Sequence, residues 1–194
     1  AAKQRLIKSL SDGHAVSAEI IANNFLKNHP EILESEKVID AAKQGLIKAL
    51  LDGHAVSAEI IARDFLKNYP EMLESKEAID AAKQGLIKSL LDGDLVKYPN
   101  NTEIIDSNFF KNHPEILKSK EVVDAANQRL IKALSNGHPN NAEIIASSFS
   151  KNHPEMLESE EIIDAAKQGL IKALSDGYPN NAKAIAHNFF KNHP

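Results

Sequence analysis

The sequence predicts an all-α fold, an α-solenoid or superhelical array of helix-turn-helix repeats, each about 40 residues long. Three observations lead there. The chain repeats itself: "AAKQRLIKSLSDGHAVSAEIIANNFLKNHPEILESEKVID" (residues 1–40) is followed by "AAKQGLIKALLDGHAVSAEIIARDFLKNYPEMLESKEAID" (41–80), and the two blocks differ at 10 of 40 positions. Within each block, apolar residues recur at three- and four-residue spacing, the period of an amphipathic helix. Gly and Pro then fall at fixed places between those stretches, where helices stop and start. A pair of short amphipathic helices cannot bury its apolar face alone, so such units stack and share a continuous core.

The repeats span 1–40, 41–80, 81–124, 125–164 and 165–194, in a single segment without separate domains. The third is longer because "DLVK" (Asp94–Lys97) is inserted, and the fifth stops at Pro194. The opening matches the middle of later units, so the segment reads as a piece of a longer protein. In the second block, helix A is expected from about Glu36 to Leu51, with Ile39, Ala42, Leu46 and Leu50 as its apolar stripe, Ser35 as N-cap and Asp52-Gly53 as its stop. Helix B is expected from Ala58 to Lys67, capped by Ser57, whose place Asn141 and Asn181 take in later units. "KNHPEIL" (Lys27–Leu33) reads as a corner: Asn28 ends helix B, Pro30 starts a short third helix or turn, and Ile32 and Leu33 enter the core. Gly45, Gly85 and Gly169 stand inside helix A, and Arg5 and Arg129 take the same place, which predicts an edge with room for a long side chain. Neither end carries a polar capping unit, so both are expected to expose hydrophobic surface and to favour end-to-end self-association.

Composition narrows the function classes. With 27 acidic against 23 basic side chains there is no global basic field. Cysteine is absent, which removes disulfides and thiolate chemistry. No apolar run approaches the roughly 18 residues of a bilayer span, so no membrane is expected. Histidines recur at His29, His113, His153 and His193 and at His14, His54 and His138, but Tyr69, Tyr98 and Tyr178 stand in the same places. Tyrosine replaces a packed, hydrogen-bonded imidazole better than a metal-bound one, so no metal site is expected. The carboxylates recur in every unit at helix starts, where negative charge is favoured anyway, and no unlike set of catalytic groups gathers once. The chain therefore reads as no enzyme, with no cofactor.

The positions that vary between near-identical units carry more information. Along helix B, Glu59, Arg63 and Lys67 share the face opposite the buried stripe, at i, i+4 and i+8. The centre of that row, with its neighbour, reads Asn23-Asn24, Arg63-Asp64, Ser107-Asn108, Ser147-Ser148 and His187-Asn188, while Lys27, Lys67, Lys111, Lys151 and Lys191 recur at its end. A stacked array would align these pairs in a column able to face a ligand, and the lysines could meet phosphates or an acidic partner. A second row of lysines runs through Lys8, Lys48, Lys88, Lys132 and Lys172.

Set out from helix B, Leu26-Pro30-Leu33 and Leu66-Pro70-Leu73 resemble the pattern of mitochondrial transcription termination factor repeats. Phe110-Pro114-Leu117 fits with Phe for the first Leu, and Ser150 departs before Pro154 and Leu157. The pairs in "AEIIANN" and "AEIIARD" are similar, more weakly, to those of TAL-effector-like repeats, although the unit here is longer and lacks a Gly-Gly after the pair. Both resemblances imply DNA or RNA as a ligand, read one element per repeat. Against that stand the negative charge and the 5% aromatic content, with Phe on core stripes. The leading expectation is a non-catalytic scaffold that presents an extended surface to a protein partner, with modular nucleic-acid binding as the alternative.

Overall fold

The computed structural model describes residues 1–25, 28–92, 108–150 and 153–190. It is all-helical, and no strand occurs among the described residues. The helices are α1 (Ala2–Ser11), α2 (Ala15–Phe25), α3 (Pro30–Leu33), α4 (Glu36–Leu51), α5 (Ala55–Phe65), α6 (Pro70–Leu73), α7 (Lys76–Asp92), α8 (Asn108–Asn112), α9 (Pro114–Lys118), α10 (Lys120–Ser135), α11 (Pro139–Ser150), a 3-10 turn over Pro154–Glu158, α12 (Glu160–Ser175) and α13 (Pro179–Phe190). A short helix or 3-10 turn therefore follows Pro30, Pro70, Pro114 and Pro154, where the ring pre-sets φ and costs no hydrogen bond. The chain divides into two compact units, one of Ala1–Leu86 with Asp106–Ile116, the other of Ile87–Ile105 with Leu117–Pro194.

The joint between helix A and helix B is a three-residue turn. After α4, the Asp52 N–H donates to the Lys48 carbonyl at 2.9 Å, Gly53 to Leu50 at 3.1 Å and His54 to Ala49 at 2.8 Å. Gly53 has φ +73°. This is the reverse turn that satisfies the last carbonyls of a helix, and its left-handed residue is glycine because a Cβ there is strained. The His54 carbonyl already accepts from the Ala58 N–H at 3.0 Å. Helix B thus begins at Ala55, three residues earlier than the Ser57 cap predicts. Ser57, Asn141 and Asn181 lie in the first turn instead. The signal for the earlier start is Pro139 and Pro179, which stand at the first helical position of α11 and α13. Asn181 has another use: its Nδ2 donates to the Gly137 carbonyl at 3.1 Å, tying one repeat to the turn of the repeat before it within the second compact unit. At its other end α5 stops at Phe65, short of the expected Lys67.

In the first compact unit α1 packs on α4 and α2 on α5; in the second α10 packs on α12 and α11 on α13. Among the described helices, α1, α4, α10 and α12 each also pack on the B helix that follows, as α4 does on α5 and α12 on α13. Alanines line the close faces, with Ala42, Ala49, Ala126, Ala133 and Ala166 almost wholly buried. Leu6, Leu46, Leu130, Ile61 and Ile185 fill the spaces between. The corner residues enter less deeply than expected in the first two repeats, where Ile32 and Met72 are half-buried, whereas Ile116 and Met156 are buried.

The glycines inside helix A correct the sequence reading. Gly45, Gly85 and Gly169 are buried, not at a roomy edge. A Cβ on Gly45 would stand 2.9 Å from the Leu10 carbonyl carbon and closer still to its oxygen; Gly85 stands in the same relation to Leu50, and Gly169 to Leu134. Two helices meet there backbone against backbone. Arg5 is exposed on α1, while Arg129 is only 7% exposed on α10. One repeat position thus has three environments, because what surrounds it depends on the neighbouring unit.

Alanine would normally exceed glycine by about 1 kcal/mol inside a helix. Here Gly45→Ala and Gly169→Ala are expected to destabilise the chain by about 1–3 kcal/mol, because the added methyl forces two packed backbones apart. Urea unfolding followed by circular dichroism checks the sign; a more stable Gly45→Ala chain would refute the close approach.

Candidate binding surface

The outward face of helix B is the surface that the variable pairs mark. On α2, Val16, Glu19, Ile20, Asn23 and Asn24 fall within one side of the helix, and on α5 Val56, Glu59, Arg63 and Asp64 match them, while Ile60, in the place of Ile20, is buried. Asn23, Asn24, Arg63 and Asp64 are exposed, and the packing of α2 on α5 sets the two pairs on adjacent helices. In the second unit Ser147 on α11 and His187 on α13 are exposed as well, and Asn188 is half-buried. Lys67 and Lys111 are exposed. Lys27, Ser107, Lys151 and Lys191 lie outside the described residues, as do the side chains of Asn108 and Ser148 and the inserted Asp94–Lys97.

Arg63 and two lysines of the second row are paired with carboxylates of the chain itself. Arg63 lays its fork on Asp64, with Nε and Nη2 donating at 2.7 and 2.9 Å, and Nη2 stands 3.6 Å from the Glu19 carboxylate on α2. The Asp64 carboxylate, more than Glu19 or Glu59, raises the guanidinium pKa still further above its ordinary value. In the second lysine row, Lys48 pairs with Asp52 at 3.0 Å and Lys172 with Asp176 at 2.9 Å, each carboxylate lying at the end of the lysine's own helix. Ser147 donates its hydroxyl to the Ile144 carbonyl at 3.0 Å, folding it back on the helix.

Beside the polar residues the first unit shows apolar ones. Val16, Ile20 and Val56 are 53, 52 and 61% exposed. In the second unit Asn140 and Asn180 take the place of the two valines, so the apolar strip is confined to α2 and α5. Against α5 lies a cavity of about 240 Å³, lined by Ala58, Ala62 and Arg63, by Leu73 of α6, and by Asn112 and His113. Sequence reasoning had no signal for it, since His113 is far from Arg63 along the chain and comes near only through packing.

The corner histidines have a local task. His29, His113 and His153 each place Nδ1 3.0–3.1 Å from the carboxylate two residues on, Glu31, Glu115 and Glu155. The ring sits at the start of the short proline turn, and its carbonyl accepts the N–H three residues on, from Ile32, Ile116 and Met156. His153 Nε2 is buried without a partner, which suits a ring protonated at Nδ1. The other set, His14, His54, His138 and Tyr178, joins helix A to helix B through backbone groups, which any of these residues supplies. Among the described residues no three His, Asp or Glu side chains gather to hold a metal ion, and no helix is long and apolar enough to cross a membrane. No known protein family, curated protein or solved structure matches the chain.

The Glu155 carboxyl is held below its ordinary value of 4.5, first by its own backbone N–H and then by His153. A depressed carboxylate contributes stability above its unfolded pKa, and that contribution disappears as the pH falls through the lower folded value. Carboxyl titration by NMR is expected to place Glu155 below 4.5, and His153→Ala should move it only part of the way back, because the backbone donor remains.

Proposed function

We propose that this chain is a non-catalytic segment of an α-solenoid whose B helices form a docking face for another protein. The reading is supported above all by the exposed strip Val16, Ile20 and Val56 beside the polar pairs Asn23-Asn24 and Arg63-Asp64. Apolar side chains flanked by polar groups are what a protein interface needs, a desolvated centre within a polar rim. A nucleic-acid groove needs cations free for phosphate and rings free to stack. Arg63, Lys48 and Lys172 instead sit on carboxylates of the chain itself, and Phe65, Phe149 and Phe189 of the B helices are buried, with Phe25 and Tyr178 the exposed Phe and Tyr rings among the described residues. In this reading the pairs that differ between units set which partner binds, and the cavity beside Arg63 takes an apolar side chain of that partner.

Mixed-sequence DNA and RNA oligomers titrated into micromolar protein at two salt concentrations are expected to show no salt-sensitive binding. Affinity that falls steeply with salt would put nucleic acid in place of protein. A photo-reactive residue at position 23 should cross-link to one protein in a saturable way. That adduct should be lost with Val16→Ser, Ile20→Ser and Val56→Ser combined, at unchanged helix content; an adduct that survives the triple change would move the interface elsewhere.

A further inference from the structure

Helix A of each repeat ends on a two-residue signature, and one repeat departs from it. The pair is Asp12-Gly13, Asp52-Gly53, Asp92-Gly93 and Asp176-Gly177 in the first, second, third and fifth repeats, but Asn136-Gly137 in the fourth; no other Asn-Gly step occurs in the chain. The backbone does not register the difference. Asn136 has φ −86° and ψ 0°, Asp176 φ −83° and ψ 0°, and Asp52 φ −81° and ψ −3°, while Gly137 and Gly53 have φ +71° and +73°. The side chains do. Asp52 and Asp176 take the ammonium of the lysine four residues back, Lys48 and Lys172, whereas Asn136 donates Nδ2 to the Lys132 carbonyl at 2.9 Å.

An asparagine before glycine is the pair most open to attack by its own main chain, because glycine has no Cβ to shield its nitrogen. The Gly137 nitrogen gives its proton to water and bonds to Cγ of Asn136; the Cγ–Nδ2 bond breaks, and the amide nitrogen takes up a proton and leaves as ammonia. The product is a five-membered imide, which water then opens. Attack at Cγ returns the normal chain with aspartate at position 136. Attack at the main-chain carbonyl carbon leaves isoaspartate, with the chain running through the side chain and longer by a methylene.

The closed turn holds the reacting atoms apart. The Gly137 N–H donates to the Leu134 carbonyl at 2.8 Å and the His138 N–H to Ala133 at 3.0 Å. At ψ 0° the glycine nitrogen lies against the Asn136 nitrogen rather than its side chain. Gly137 is also packed on α12, since a Cβ there would stand 3.8 Å from the Gly169 carbonyl oxygen and 4.0 Å from Ala173 Cβ. Asn136 itself is exposed, so water reaches its amide.

We infer that Asn136-Gly137 is a self-deamidation site gated by opening of the α10 stop, and that its two products act oppositely on the second compact unit. Aspartate supplies the carboxylate that Asp52 and Asp176 carry, one turn from the exposed Lys132. Isoaspartate cannot keep the turn. The added methylene displaces the Gly137 and His138 N–H groups, and with them the Gly137 carbonyl to which Asn181 Nδ2 ties α13 at 3.1 Å. One product preserves the joint between α10 and α11, and the other opens it. The inference is independent of what the helix B face binds.

The test follows the whole chain at mildly alkaline pH by peptide mapping, with fragmentation to locate the change. Asn136 is expected to convert before any other asparagine, and at least about tenfold more slowly in the folded chain than in urea, a ratio set by how rarely the helix end opens. Asn136→Gln keeps an amide but must close a six-membered ring, and should show no conversion at that position in the same time. Asn136→Asp should keep the wild-type urea midpoint or raise it, with the Gly137 and His138 amides still protected from exchange. The separated isoaspartyl chain should lose that protection. A chain in which Asn136 does not convert, folded or in urea, or converts after another asparagine, overturns the site; equal rates in the two states overturn the gating. An isoaspartyl chain that keeps the protection, or an Asn136→Asp chain less stable than wild type, overturns the opposite effects of the products.

Discussion

The contact between a leucine carbonyl and a helix-interior glycine sets the spacing of this molecule. A carbonyl near the end of one A helix has two lone pairs. The Leu10 oxygen accepts the Gly13 N–H at 2.8 Å and also stands over Gly45 of the next A helix. Ending one helix and receiving the next are thus done by the same atom. The close approach makes alanine the right size for the rest of the face, and it brings Ile61 and Ile185 to within 3.3 and 3.4 Å of where a Cβ on Gly45 or Gly169 would be. Larger side chains along that line would hold the backbones apart and leave voids that the core could not refill.

A second constraint comes from the turn that follows. Because Gly53 adopts a left-handed conformation and His54 serves both helices, the A and B helices are joined by only three residues. So short a joint leaves the B helix little freedom to choose its angle. The row of variable residues then lies on one outward side without any further device. Those positions are free to change because the turn and the glycine contact do not involve their side chains, and surface substitutions of that kind cost little stability.

The same separation explains why the polar chemistry of the surface is mostly internal. Lysines near helix ends are placed to favour the negative end of the helix dipole, and an aspartate one turn on takes their charge, as Asp52 does for Lys48 and Asp176 for Lys172. Arg63, the most distinctive residue of the variable row, is engaged by Asp64 beside it and by Glu19 on the preceding B helix. Beside these pairs, large apolar side chains stand exposed among the described residues: Val16, Ile20 and Val56 on the B helices, Ile171, Leu174 and Tyr178 on α12 and the turn after it. Phe25, 66% exposed where Phe65, Phe149 and Phe189 are buried, adds to this in the first unit.

Much of the architecture was legible because it depends on local chemistry repeated in register. The helical class, the span Glu36–Leu51, the glycine stop after it and the proline turns all follow from periodicity, from the left-handed region open to glycine and from the φ fixed by proline. The start of helix B was misread because side-chain caps are visible in a sequence, whereas the turn at Asp52–His54 hands the chain over through backbone groups that almost any residue supplies. Gly45 and Arg129 were misread for a different reason. Identical places in a repeat were taken to share one environment, yet burial is decided by the neighbouring helix, and only packing shows which units stack closely. The variable row could be placed on one helix face from the 3.6-residue period alone. That Arg63 is already neutralised, that Val16 and Val56 lie open near it, and that Gly45 meets the Leu10 carbonyl are facts of three-dimensional proximity between residues distant in the chain.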